Sequence, residues 1–129
     1  MFKRRARGGI GMITLNTDGR QVAVAGSRAA VIKLYHVDAG VVCSLIGHLA
    51  QITTLAFSPD GQQLASGSME AAVRLWDTAS GDAQAVLKGP VQDVTCLAYS
   101  PGGRTLASMG NFEAGWLWNL ETATDQPVD

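Results

Sequence analysis

The chain has 129 residues, of which 47% are hydrophobic and 16% are charged, and its formal net charge is −1. A high hydrophobic fraction with so little net charge is typical of a globular core and argues against a disordered protein. Its apolar runs fall well short of the roughly 18 residues of a membrane helix, which excludes a helical span. Cys43 and Cys96 lack the spacing of a zinc site or a disulfide framework, so we expect two small buried hydrophobes.

The amino terminus is the most basic part of the sequence. Four of the ten basic residues lie here, namely Lys3, Arg4, Arg5 and Arg7, and the rest of the chain is acidic overall. Such a segment can bind phosphates or anionic surfaces, but a solvated terminus is the simpler interpretation. Two glycines follow it instead of an apolar stretch, so no secretory signal is indicated and we expect a cytoplasmic protein. Residues 1–9 are therefore treated as a basic tail.

A repeat of about 42 residues occupies the rest of the chain. Residues 52–58 (ITTLAFS) return as residues 94–100 (VTCLAYS), and Leu-Trp at 75–76 returns at 117–118. Self-similarity at a fixed period of this length is the signature of a repeat architecture. The three predicted copies are residues 10–51, 52–93 and 94–129.

Each copy predicts four short strands. In the second copy Leu55 and Phe57 alternate with smaller residues, as in a half-buried strand. Ser-Pro-Asp-Gly at 58–61 is a turn, because proline presets its φ and glycine tolerates a positive φ. Further strands are predicted at 64–68, 73–76 and 85–87. The last strand of the third copy is predicted to be weak, because Pro127 cannot donate a ladder hydrogen bond.

These segments resemble one known family. The second copy contains Gly-His at 47–48, LAFSPDG at 55–61, LASGS at 64–68 and VRLWD at 73–77, and it resembles a blade of the WD40 β-propeller family. The third copy keeps LAYSPGG, LAS and LWN, and the first keeps TDG, AGS and IKLY. The resemblance covers residues 8–128. It implies an all-β fold of three four-stranded antiparallel sheets, arranged as an open partial propeller, because closed propellers use four to eight blades.

The resemblance also implies a structural hydrogen-bond network within each blade. In that family the network joins a histidine, an aspartate, a serine or threonine and a tryptophan. The matching residues of the second copy are His48, Ser66 or Ser68, Glu70 in place of the aspartate, and Trp76. Because the other two copies lack the histidine or the acid at these positions, we expect only the middle blade to form the network. The other two blades are expected to depend on packing alone.

Catalytic chemistry is not predicted. His48 beside Glu70 and a serine has the residue types of a catalytic triad, but the resemblance assigns this histidine a buried structural role. His36 is expected in solvent at the end of a strand. The sequence contains no metal-ligand cluster, calcium loop, phosphate-binding glycine loop or nucleophile elbow. We therefore expect a protein that is not an enzyme and has no cofactor or metal.

Candidate contact residues lie in the loops that the resemblance puts on one face of the propeller. Interface hot spots favour aromatic residues and arginine, and methionine adapts to varied partners. Arg28, Met69 and Phe112 are therefore candidate protein contacts, although Phe112 folding into the core is an equally weighted interpretation. Trp116 is a further candidate, for which packing on a neighbouring blade is preferred over stacking on a ligand. The acidic body of the chain argues against nucleic acid as a partner.

The predicted function is a non-catalytic scaffold for protein–protein interactions, with other proteins as partners. The alternative is a regulatory or sensor segment of a protein whose nucleotide-binding or kinase domain lies elsewhere. Three blades leave two open flanks. Further blades outside this sequence are the preferred cover for these flanks, self-association into a homo-oligomer comes second, and an open arc of three blades is the remaining alternative.

Overall fold

The computed structural model describes residues 10–26, 30–70, 72–88, 93–110, 115–120 and 124–127. These residues form twelve strands, β1 Ile10–Leu15, β2 Gln21–Gly26, β3 Ile32–His36, β4 Val41–Leu45, β5 Ile52–Phe57, β6 Gln63–Ser68, β7 Ala72–Asp77, β8 Ala83–Lys88, β9 Val94–Tyr99, β10 Thr105–Gly110, β11 Trp116–Asn119 and β12 Thr124–Pro127. Within this part of the chain, no helix has the length and apolar character that a membrane span requires.

The strands form three separate antiparallel sheets. Their strand orders are β1-β2-β3-β4, β5-β6-β7-β8 and β9-β10-β11-β12, so each sheet is a simple meander. The first strands of successive sheets lie side by side, β1 next to β5 and β5 next to β9. The predicted all-β fold of three four-stranded sheets is confirmed. The last strand, predicted to be weak, forms a short pairing of β12 with β11.

The turn that follows the first strand is the same in all three sheets. Gly19, Gly61 and Gly103 have φ angles of 71°, 74° and 73°. The N–H of each donates to the carbonyl three residues earlier, at 2.8 to 2.9 Å. Because a positive φ is strained for residues with a Cβ, the glycine of this turn recurs at the repeat period.

Two apolar cores lie between neighbouring sheets. The first contains Ala23, Ala25, Ile32, Leu34 and Leu45 of the first sheet with Ile52, Leu64 and Trp76 of the second. The second core contains Ala65, Val73, Leu75 and Leu87 of the second sheet with Val94, Leu106 and Trp118 of the third. Equivalent positions thus build both cores, and burying each leucine contributes roughly 1.5–3 kcal/mol. Below, the front face of a sheet is the one that packs on the next sheet, and the back face packs on the preceding sheet.

The cysteines depart in part from the expectation of two buried hydrophobes. Cys43 is half-buried against the first core, but Cys96 is exposed, and both are free thiols. Cys96 pairs in register with Met109, which is also exposed. The prediction for Cys96 was wrong, because it rested on the usual burial of free cysteine, and among the described residues no sheet packs on the side of β9 where Cys96 lies.

Candidate functional site

A buried chain of hydrogen bonds links three side chains of the middle sheet. Trp76 on β7 donates its indole N–H to Ser66 Oγ on β6, at 2.8 Å. Ser66 Oγ is also hydrogen-bonded to Nε2 of His48, which lies in the connection between β4 and β5. All three side chains are buried. These hydrogen bonds therefore hold the β4–β5 connection to the interior of the middle sheet.

Glu70 extends the chain of hydrogen bonds to the sheet surface. Its Oε1 is hydrogen-bonded to His48 Nδ1 and also accepts from the Leu49 N–H at 3.3 Å and from Arg74 Nε at 3.4 Å. Ser68 has a separate role, because its Oγ accepts the backbone N–H of Glu70 at 3.1 Å. The longer side chain of glutamate thus reaches the histidine, while a second serine holds its backbone. Ser66, rather than Ser68, contacts the tryptophan.

The protonation states of His48 and Glu70 follow from their burial and from these hydrogen bonds. Burial lowers the pKa of His48, although the hydrogen bond and the charge of Glu70 oppose this effect. Burial raises the pKa of Glu70, but hydrogen bonds from His48 and Arg74 outweigh it and leave the pKa below its usual value. A neutral imidazole then donates from Nδ1 to the carboxylate and accepts the Ser66 hydroxyl proton at Nε2. In this protonation state both ring nitrogens of His48, the Ser66 hydroxyl and the Trp76 indole N–H all have partners.

The order serine, histidine and carboxylate matches that of a catalytic triad, but access to it is absent. The Ser66 side chain is fully buried, and its oxygen already accepts the Trp76 indole proton. A nucleophile must reach a substrate carbonyl, which this hydroxyl cannot do without opening the sheet. In this conformation the Ser66 hydroxyl is a hydrogen-bond partner within the sheet and not an accessible nucleophile. Among the described residues, no three His, Cys, Asp or Glu side chains come together in a way that could hold a metal ion.

The third sheet retains part of the same arrangement. Trp118 donates its indole N–H to Ser108 Oγ at 2.9 Å, and both side chains are buried. The prediction that the outer sheets depend on packing alone was therefore wrong for this sheet. The Ser108 hydroxyl gives the buried indole N–H its acceptor, and this bond forms without a histidine or an acid.

His36 also differs from expectation. It is half-buried rather than in solvent, and its Nδ1 is 3.0 Å from Gln21 Nε2. The same amide nitrogen donates to the Thr78 carbonyl of the second sheet at 2.7 Å. The expectation failed because it did not consider Gln21, the register partner of His36 on the adjacent strand.

A second polar cluster joins the first two sheets at the opposite end from Glu70. Asn16 is buried, and its Nδ2 donates to Gln21 Oε1 and to the Gly61 carbonyl, both at 2.9 Å. Thr78 Oγ1 donates to the same Gly61 carbonyl at 2.7 Å. Gly61 belongs to the repeated turn, but the positions of Asn16 and Thr78 hold different residues in the other copies, so the repeat pattern offered no signal for this contact.

The predicted contact residues fall into three groups. Met69 is 51% exposed, next to Glu70. Trp116 is half-buried against the second core and stacks on Trp118, with ring centroids 6.1 Å apart. Arg28 and Phe112 lie outside the described residues.

Two exposed residues of the connection between β4 and β5 were not among the candidate contacts. Ile46 is 73% exposed and Leu49 is 85% exposed, and both lie in the connection that carries His48. The Met69 N–H donates to the Gln51 carbonyl at 3.0 Å, which holds the two loops together. Ile46, Leu49 and Met69 are called the apolar rim below. Apolar residues in a connecting loop were the available signal for the first two.

Comparisons with known proteins identify a family and a solved structure with a similar fold. The family model of the WD domain, G-beta repeat, matches residues 40–77 and 81–111. A search of the curated proteins gives no match. Among solved structures, that of U3-55K is similar over 97% of this chain, with a TM-score of 0.86 and 21% sequence identity. The chain spans 40% of the length of the U3-55K chain, and at this identity the likeness shows the fold.

Proposed function

Because the chain belongs to the WD40 repeat family, we propose that it is a non-catalytic scaffold that docks other proteins through the apolar rim of its middle sheet. WD40 domains in general mediate protein interactions. Fold alone does not identify a site, so the proposal depends on the surface itself. The observation that carries it is the exposure of Ile46, Leu49 and Met69 at one end of the sheet.

The loops of the rim are held before any partner binds. Glu70 accepts the Leu49 N–H, and the Met69 N–H donates to the Gln51 carbonyl. The hydrogen bonds of His48 to Glu70 and Ser66 also hold the β4–β5 connection to the sheet interior. A preorganised surface loses less conformational entropy on binding, which supports a docking role for exposed apolar side chains.

The partner that this surface fits is a protein segment with apolar side chains. Three apolar residues of the rim offer contact area, and methionine adapts its shape to different partners. The carboxylate of Glu70 already accepts several hydrogen bonds within the chain. Binding through the rim would thus be driven by burial of apolar surface. The alternative of a regulatory segment beside a catalytic domain stays a prediction.

Site-specific photo-crosslinking tests the proposal. A photoreactive residue replaces Leu49 in one variant and Val86, an exposed valine on β8, in the matched control. We expect cross-links to other proteins from position 49 and few from position 86. Adding Met69→Asp to the first variant should abolish them while leaving the far-ultraviolet circular dichroism unchanged. Equal cross-linking from both positions, or cross-links that survive Met69→Asp, would contradict docking at the rim.

A further inference from the structure

The front face of the third sheet has the residue pattern of an internal face but is exposed. Leu34, Leu75 and Leu117 occupy equivalent positions on β3, β7 and β11. Leu34 is fully buried and Leu75 is 4% exposed, whereas Leu117 is 37% exposed. Beside it, Ala107 pairs with Leu117 in register, as Ala65 pairs with Leu75. The third sheet thus presents the same apolar row that the first two sheets bury.

The back face of the first sheet shows the matching feature. Leu15, Val22, Tyr35 and Val42 are register partners across β1 to β4 and form one apolar row. In the second sheet the equivalent row includes Phe57, Leu64 and Trp76, all of which lie in or against the first core. In contrast, Leu15 is 60% exposed. This row has the composition of a packed face.

On the front face of the third sheet, a pair of neighbouring residues has a combined side-chain volume similar to that of the equivalent buried pair in the second sheet. In the second sheet Gly67 lies opposite Val73, and a Cβ on Gly67 would come within 2.5 Å of Val94 Cγ1 on the third sheet. In the third sheet Met109 takes the place of Gly67, and Gly115 takes the place of Val73. The large and the small residue are exchanged across the strand pair. Such an exchange conserves volume, which is how packed interfaces tolerate substitution.

We propose that a second copy of this chain covers both flanks, with the front face of each third sheet packed on the back face of the other copy's first sheet. The chain itself carries both halves of an interface that it already forms twice internally. Two copies would place six sheets around one axis, within the four to eight of closed propellers, whereas three copies would place nine. A two-fold ring also leaves no flank exposed, since each copy repeats the same contact.

Absolute mass by light scattering after size exclusion, over a concentration series, tests this arrangement. We expect the chain to have twice the mass of its 13.5 kDa monomer. Leu117→Glu and Leu15→Glu should each give single chains, because a charge would be buried in the contact. Both residues are exposed within one copy, so circular dichroism should show retained β structure. Leu49→Glu, on the apolar rim, is the matched control and should keep the doubled mass.

A charge-reversal experiment identifies the pairing of the two faces. Leu75 and Tyr99, the internal counterparts of Leu117 and Leu15, belong to one core. The double variant Leu15→Lys/Leu117→Glu should therefore regain part of the doubled mass that Leu117→Glu loses. A single-chain mass for the unmodified protein at every concentration would overturn the proposal and favour cover by blades outside this sequence. An open-ended series of masses, or flank variants that keep the doubled mass, would overturn it as well.

Discussion

Trp118 donates its indole N–H to Ser108 Oγ at 2.9 Å, in a bond that repeats the contact between Trp76 and Ser66 one repeat earlier. Both serines and both tryptophans are buried. The environments differ, because Ser66 is also bonded to His48. The chain thus contains two versions of one contact, with and without the histidine, and they serve as controls for each other.

Removing the serine should destabilise the middle sheet more than the third sheet. Ser108→Ala leaves one buried indole N–H without its partner, for which we expect a loss of about 1–3 kcal/mol in the free energy of unfolding. Ser66→Ala leaves both the Trp76 N–H and His48 Nε2 without one, so its loss should be larger. Urea unfolding followed by tryptophan fluorescence measures both losses. Ser44→Ala, at an exposed serine, should stay within about 0.5 kcal/mol of the unmodified protein.

The repeat made much of this arrangement predictable, but not all of it. Its period indicated three equal sheets, and the family resemblance of the second copy implied a network that contains Ser66 or Ser68 and Trp76. The Trp118–Ser108 bond was missed because the network was treated as a unit that needs its histidine. The serine hydroxyl alone gives the buried indole N–H an acceptor, so part of the network persists where the rest is lost.

The free energy of unfolding should decrease as the pH falls through the range in which His48 takes up a proton. The pKa of His48 is lowered in the folded protein, chiefly by burial, so the unfolded chain binds the proton more readily. The stability is therefore complete above about pH 6.5, the unfolded value, and is lost as the pH falls toward the folded pKa. One proton corresponds to a slope of at most about 1.4 kcal/mol per pH unit.

Unfolding curves between pH 7.5 and pH 5 measure this slope. Above pH 5 the lowered pKa of Glu70 leaves its carboxylate ionised, so its own loss of stability begins only below about pH 4.5. In His48→Gln the slope should flatten, even though the variant is less stable at every pH. A slope that is unchanged in His48→Gln would assign the effect to a different group.

The contact between the first two sheets should be destabilised by adding a methyl group at Gly61. A Cβ there would come within 2.5 Å of Asn16 Oδ1, and its φ of +74° already disfavours a side chain. Gly103 has nearly the same φ, of +73°, but its Cβ would meet only Pro59 Cδ, at 3.5 Å. Both alanine variants therefore share the backbone penalty of about 1–2 kcal/mol. Gly61→Ala should lose more, because it also displaces a buried amide.

Thermal unfolding of the two variants separates these contributions. The excess loss in Gly61→Ala should be about 1–3 kcal/mol, the penalty for disturbing buried hydrogen bonds. Asn16→Ala removes the clashing group, so in that background the two glycine variants should differ little. If Gly61→Ala and Gly103→Ala lost the same free energy of unfolding with Asn16 present, the Asn16 side chain would move away from the methyl group at no energetic cost. No repeat pattern predicts this difference, because the position of Asn16 is occupied in the second copy by Ser58, which bonds within its own turn instead.

The contact between the second and third sheets should be equally sensitive at Gly67. Its Cβ would lie 2.5 Å from Val94 Cγ1 and 2.8 Å from Thr54 Cγ2, both in packed side chains. Gly67→Ala should therefore lose about 1–3 kcal/mol through overpacking. Gly102→Ala is the control, since nothing lies within 4 Å of its Cβ, and it should be nearly neutral.

Double-variant unfolding experiments test whether the two sheets meet at this point. Val94 is buried, so Val94→Ala alone should be destabilising because it leaves a cavity. In Gly67→Ala/Val94→Ala the new methyl group occupies the space that the valine vacates. The two losses should then sum to more than the loss of the double variant, with a coupling of about 0.5–3 kcal/mol. Strict additivity would mean that the sheets are farther apart here, and it would weaken the volume argument for Met109 and Gly115 of the third sheet.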